Sequence, residues 1–166
     1  MDSTTQPAAR QASRSTYLPV RGLRYHIREW GEPGAPILFL FHGWMDVSAS
    51  FQFLVDALRE RWHIVAPDWR GYGQTARPTE GPGVESYWFA DYVADLEAII
   101  DHYQSEGQVT LVGHSLGANV VCLYAGIRPE RVRRVVDLEG FGMSASKASQ
   151  APRRYARWLD ELKDKP

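Results

Sequence analysis

A serine between two glycines, Gly113-His114-Ser115-Leu116-Gly117, stands where two sequence patterns meet. The apolar run Val109-Thr110-Leu111-Val112 leads into it and reads as a β-strand, and a helical pattern follows at once. That context predicts a nucleophile elbow, in which a serine sits on a sharp strand-to-helix turn. Gly113 and Gly117 have a steric reason to be there. A turn this tight brings its flanks against neighbouring backbone, where a Cβ would clash. The chemistry on offer is nucleophilic attack by Ser115 Oγ. The competing reading of the same five residues is a structural Gly-Ser turn.

A serine hydroxyl is a weak nucleophile until a base takes its proton, and the usual base is a histidine oriented by a carboxylate. In elbow architectures the acid and then the histidine follow the serine along the chain. The five histidines are His26, His42, His63, His102 and His114, and none follows Ser115. His114 is adjacent to the serine, but neighbouring side chains at a sharp turn diverge, so it reads as a packing or hydrogen-bonding residue. No triad histidine is therefore assigned in this chain.

The elements that must hold the elbow can be read from periodicity. Tyr17–Val20 and Leu23–Trp30 flank a tight Arg21-Gly22 turn, and the alternation of Leu23, Tyr25 and Ile27 predicts a half-buried antiparallel hairpin. Ile37–Phe41 is a continuous apolar run, as expected of a strand covered on both faces. Ser50 begins a short helix striped by Phe51, Leu54, Val55 and Leu58, and Trp62–Ala66 is another buried strand stopped by Pro67. Asp68–Pro82 is a Gly- and Pro-rich loop, and Ser86–Tyr103 has helical spacing. A helix over Ser115–Ile127, a strand over Val132–Leu138 and a last helix from Pro152 complete the order. Strands alternating with helices predict a mostly parallel sheet with right-handed crossovers. Sites in such sheets lie beyond the C-terminal strand ends. The loops His42–Asp46, Asp68–Gly73 and Gly113–Gly117 all leave such ends.

Composition bounds the rest. The chain has 166 residues, 44% apolar and 23% charged, with a net charge of −1. It is long enough for one domain with a real core. The charge balance gives no electrostatic case for nucleic acid. No apolar stretch reaches the ~18 residues of a membrane span, and a cytoplasmic location follows by default. Lone Cys122 lies in the apolar run Val120–Tyr124 and is expected to be a buried, inert thiol. The histidines lack metal-ligand spacing, so neither a metal nor an organic cofactor is expected. A dinucleotide-binding domain is disfavoured, because no Gly-x-Gly-x-x-Gly follows the first parallel strand.

Four ordered motifs now carry a resemblance: His42-Gly43-Trp44-Met45-Asp46, Asp68-Trp69-Arg70-Gly71-Tyr72-Gly73, Gly113-His114-Ser115-Leu116-Gly117 and Arg128-Pro129-Glu130-Arg131-Val132. Over roughly residues 17–142 the chain resembles the first part of an α/β-hydrolase, and the His-Gly-Trp loop looks like serine-hydrolase-like members. The resemblance implies an incomplete α/β-hydrolase fold: a mostly parallel twisted sheet of about six strands, an N-terminal antiparallel hairpin, and helices on both faces. It implies Ser115 as the nucleophile, with the backbone N–H groups of Leu116 and Trp44 as oxyanion-hole donors. Relatives with an aspartate nucleophile, such as epoxide hydrolases and haloalkane dehalogenases, would carry Asp at 115. Serine there points to ester, thioester or amide hydrolysis on a small acyl substrate.

Bland roles suit the other motif residues. His42 is expected to anchor its loop, and Asp68 and Arg70 to hold the Gly71–Gly73 turn through a local ion pair. Trp44, Trp69, Trp88 and Trp158 are candidates for a pocket wall. Complete family members continue with a cap, further strands, an acid and a late histidine. On that comparison residues 1–14 read as a disordered tail, 15–142 as a partial hydrolase core and 143–166 as the start of a cap. The expectation is a piece of a longer hydrolase, or a partial gene product. Asp137 and Glu139, at the end of the last strand, are the candidate acids. The strand Val132–Leu138 would be an uncovered sheet edge. Two functions compete: a serine hydrolase by lineage, weak or inactive as this chain stands, and a non-catalytic binding module on the same fold.

Overall fold

The computed structural model describes residues 10–58, 61–77, 87–140, 147–150, 152–153 and 156. Six strands form one sheet: β1 (Ser13–Val20), β2 (Leu23–Trp30), β3 (Ile37–Phe41), β4 (His63–Pro67), β5 (Val109–His114) and β6 (Val132–Leu138). Their order is β1-β2-β4-β3-β5-β6. β1 and β2 form an antiparallel hairpin joined antiparallel to β4, while β4, β3, β5 and β6 run parallel. The helices are α1 (Gln52–Ala57), α2 (Phe89–Tyr103) and α3 (Leu116–Ile127), with a 3-10 turn at Ser48–Phe51 leading into α1.

The strand period of two sorts the core into two layers. Phe39, Phe41, Val65 and Leu111 face Tyr92, Leu96, Ile99 and Ile100 of α2 and Val120, Val121 and Tyr124 of α3. Leu38, Leu40, Ile64, Ala66 and Val112 face the other way, onto Phe51 and Val55. The predicted architecture of a mostly parallel sheet with a hairpin and helices on both faces is therefore the observed one. The α1 layer is the smaller. Beside it lies an open cleft of about 930 Å³, lined among others by Leu54, Leu58, Trp62, Val112, Val136 and Leu138.

Several details differ from the sequence reading. β2 is largely buried on both faces, because Tyr25 and Ile27 pack into the layer of α2 and α3 and Trp30 into that of α1. β1 starts at Ser13, so the last two residues of the expected tail are paired strand. Gln11 also bonds to Asp56 and Val55. Cys122 is exposed, not buried. It lies beside β6 at the sheet edge, and Leu123 and Ile127 of the same helix are exposed as well. The thiol pKa is raised by partial burial and by Asp137, whose carboxylate Oδ2 lies 3.8 Å from Sγ. Among the described strands β6 is at the edge, as expected; Val132 and Val135 are half-buried, and Val136 is 38% exposed. The last helix from Pro152, and most of the expected cap segment, lie largely outside the described residues.

Candidate active site

β5 delivers Ser115 to the start of α3 through a turn in which the serine has φ 49° and ψ −110°. Positive φ is a strained conformation for a residue with a Cβ, and it persists only where the surroundings enforce it. The surroundings here are backbone. A Cβ on Gly113 would lie 2.5 Å from Ala118 Cα and N, and one on Gly117 would overlap the Phe41 carbonyl. The Ser115 N–H donates to the Leu138 carbonyl at 2.9 Å, and its own carbonyl accepts the Asn119 N–H at 3.1 Å. Strand, turn and helix therefore fix the serine from both sides.

The loop after β3 lies against this turn. A Cβ on Gly43 would stand 2.9 Å from His114 Nδ1 and 3.2 Å from Ser115 Cβ. Trp44, the next residue, therefore begins beside the serine. Leu116 is the first residue of α3, and its N–H is among the donors that a helix N-terminus leaves without an intrahelical partner. Both predicted backbone donors thus belong to segments that meet at Ser115.

His42 holds the loop in place. Its ring is fully buried; Nδ1 donates to the Gly43 carbonyl at 2.8 Å, and Nε2 accepts the Trp69 N–H at 2.9 Å. Trp69 Nε1 donates back to the His42 carbonyl at 2.9 Å. Burial lowers the His42 pKa, which keeps the ring neutral and suits a ring that both donates and accepts. Trp69 is core, with its ring stacked on Phe41. Trp44 is 64% exposed and meets Tyr72 edge-on at 5.9 Å between centroids. Trp88 is also exposed, and Trp158 lies outside the described residues. The three loops predicted to converge do so.

Asp68 and Arg70 have different partners from those expected. Asp68 accepts from the Ser48 N–H at 2.7 Å, the Gln74 N–H at 2.9 Å and His26 Nδ1 at 2.8 Å. Burial works against its ionisation, but these bonds outweigh it and hold the carboxyl below its usual range. Gly73, with φ 53°, leaves room for that carboxylate, which a Cβ there would overlap. Arg70 reaches instead into α2 and makes a two-pronged pair with Asp95 at 2.6 and 2.7 Å, both side chains fully buried. Tyr25 also donates to Asp95. The loop is thus pinned to the hairpin and to α2, because two buried carboxylates each need several donors.

Of the candidate acids, Asp137 turns to the Gly140 N–H at 2.5 Å and to Cys122. Glu139 is exposed, with φ 64°, and its Oε2 lies 3.8 Å from His114 Nε2. His114 Nδ1 is 3.8 Å from Asp46 Oδ2, so this ring sits between two carboxylates. Among the described residues no histidine is hydrogen-bonded to Ser115 Oγ. None of their His, Cys, Asp and Glu side chains gather into a group of three or more able to hold a metal, and none of their helices is long and apolar enough to cross a membrane.

Known proteins were compared with the chain. A family profile described as alpha/beta hydrolase fold matches residues 36–165. A serine hydrolase-like protein of Danio rerio is 34% identical over 139 residues, covering 83% of this chain and 41% of that protein. Epoxide hydrolase A of Mycobacterium tuberculosis is 37% identical over 118 residues, covering 70% of this chain and 35% of its own. Among solved structures, a hypothetical protein of Pseudomonas aeruginosa superposes with a TM-score of 0.78 at 28% identity, over 89% of this chain and 51% of that one. The chain thus spans well under half the length of these two curated relatives.

Proposed function

The chain belongs to the α/β-hydrolase family, and from that premise we propose that it is a serine hydrolase acting on carboxylic esters or related acyl substrates. The observation that carries the reading is Ser115 at φ 49° on a strand-to-helix turn, with the Gly43 backbone packed against it. Ser115 Oγ attacks the acyl carbonyl. The N–H groups of Leu116 and Trp44 receive the developing oxyanion, a role in which one donor is typically worth ~3 kcal/mol of transition-state stabilisation. The acyl-serine is then released by water.

Relatives named epoxide hydrolase and serine hydrolase-like both match the chain. The residue at the turn separates those chemistries. A carboxylate opens an epoxide to an ester intermediate, whereas a serine hydroxyl accepts an acyl group, and position 115 holds serine.

A second reading, a binding module on the same fold, is favoured by one observation. Among the described residues no base reaches Ser115, and His114 stands between Asp46 and Glu139 instead. The two readings part in one assay. Hydrolysis of p-nitrophenyl butyrate by the 166-residue chain is expected to be slow and to drop in Ser115→Ala by the share that Ser115 carries. A rate identical in the two proteins would overturn the hydrolase reading of Ser115.

A further inference from the structure

A different serine in this chain does have a histidine and an aspartate behind it. Ser15 Oγ lies 2.9 Å from His26 Nε2, and His26 Nδ1 lies 2.8 Å from Asp68 Oδ2. The three come from β1, β2 and the exit of β4. Ser15 is exposed, while His26 and Asp68 are 0% and 2% exposed. Asp68 can only accept, so a neutral His26 ring carries its proton on Nδ1 and leaves Nε2 to accept the Ser15 hydroxyl proton. This is the order of roles in a serine–histidine–aspartate relay.

The arrangement is held rigidly. The His26 N–H donates to Thr75 Oγ1 at 2.9 Å, its carbonyl accepts the Asp68 N–H at 2.9 Å, and Thr75 Oγ1 donates to the Asp68 carbonyl at 2.6 Å. Tyr17 tilts against the His26 ring at 5.4 Å between centroids. Arg28, opposite Ser15 in the β1–β2 register, supplies a guanidinium on the same face, bonded to Ser13 and Ser48. Among the described residues no strand pairs with the outer side of β1, which leaves the approach to Ser15 open.

We propose that Ser15 is a second activated nucleophile, with His26 as its base, that accepts acyl groups from small activated esters and thioesters independently of Ser115. Oγ bonds to the acyl carbon while its proton passes to His26 Nε2. The tetrahedral anion, beside Arg28, collapses with cleavage of the bond to the leaving alcohol or thiol. That leaving group takes the proton from His26. The products are an ester on Ser15 and the free alcohol or thiol, and water returns the serine by the same proton path. Asp68 acts through His26, as a positioning residue.

Ser13 provides an internal control. It lies on the same strand and face as Ser15, but its hydroxyl meets the Arg28 guanidinium, whereas that of Ser15 meets the His26 ring. Cleavage at Arg14 separates the two serines into different tryptic peptides. The experiment treats the 166-residue chain with a fluorophosphonate probe and maps adducts by peptide mass spectrometry. Phosphonylation is expected at Ser15 in both the unaltered chain and Ser115→Ala, roughly a hundredfold faster than at Ser13, as general-base assistance provides. His26→Gln, checked for folding by circular dichroism, is expected to remove that advantage. Equal modification of Ser13 and Ser15, or no adduct on Ser15, would overturn the proposal. Because the map reports each serine separately, an adduct on Ser115 alone supports the hydrolase reading while overturning this one.

Discussion

Gly43 is packed so closely against the serine turn that a methyl group on it would come within 3.2 Å of Ser115 Cβ. The same methyl would press on His114 Nδ1 at 2.9 Å, so the loop could not keep its position. Gly43→Ala is expected to slow fluorophosphonate labelling of Ser115 by about a hundredfold, the typical effect of losing one oxyanion donor. An unchanged labelling rate at Ser115 would remove the Trp44 N–H from the mechanism.

Serine at position 115 is costly to the fold. A non-glycine residue held at a sparsely populated φ, ψ combination costs about 1–3 kcal/mol. Ser115→Gly is expected to raise stability by about 1 kcal/mol, because glycine adopts the conformation freely. Ser115→Ala keeps the Cβ and should leave stability nearly unchanged. Urea midpoints for the three proteins decide the point; equal midpoints for Ser115→Gly and Ser115→Ala would show that the turn is relaxed.

The Arg70–Asp95 pair is a stability element. Burial works to lower the Arg70 pKa, but Asp95 outweighs it and holds the guanidinium charged. Asp95→Ala would strip the buried guanidinium of its two-pronged partner and leave it Asp91 at 3.6 Å, and should cost about 3 kcal/mol in urea unfolding. The double variant Asp95→Ala/Arg70→Met should recover part of the loss. A single-variant cost below about 1 kcal/mol would mean that the pair is hydrated.

His42 sets a pH dependence. Its folded pKa is lowered by burial, while an unfolded histidine titrates near 6.5. The unfolded chain therefore binds the extra proton first, and stability present at pH 7.5 is lost as the pH falls below about 6.5. His42→Gln should flatten this slope in urea midpoints between pH 7.5 and 5.5. Nitrogen NMR of the unaltered chain should show a neutral ring with its proton on Nδ1 at pH 7. A protonated His42 at that pH would contradict the loop geometry.

The β6 edge and the cleft beside it predict self-association of the 166-residue chain. Val136 and Leu138 are 38% and 39% exposed on an edge strand, and such edges pair with one another. Sedimentation should show mass rising with concentration, and Val136→Lys should reduce it. Identical behaviour of the two proteins would point to another surface.

The fold was legible in the sequence because its strands are short apolar runs separated by helical stripes. The Ser115 turn and its glycines were legible because steric demands at a tight turn leave few residue choices. Long-range polar pairing was harder to read. The sequence pattern suggests that Asp68 pairs with the nearby Arg70, yet Asp68 meets His26 on the hairpin and Arg70 meets Asp95 on α2. Asp95 did leave a signal: it is an acid on the same helical stripe as buried Tyr92, Leu96 and Ile99. His26 left less of one. Its alternation places it opposite Tyr25 and Ile27, on a face expected to be wet, and only the pairing with β1 and the 48–51 turn makes that face dry. Cys122 was misread because an apolar neighbourhood in sequence is not a covered face in space.

The order of strands also has a kinetic consequence. Phe39 pairs with Leu111 and Phe41 with Gly113, so the two segments that meet at Ser115 are joined across a long crossover containing β4 and α2. The β1–β2 hairpin, by contrast, closes over Arg21 and Gly22. Non-local parallel pairings wait on loop closure, and chains rich in them fold slowly. During refolding, the environment of Ser15 across the hairpin can begin to form early. The strained turn at Ser115 can form only once β3 and β5 lie side by side, so its appearance marks the completion of the sheet.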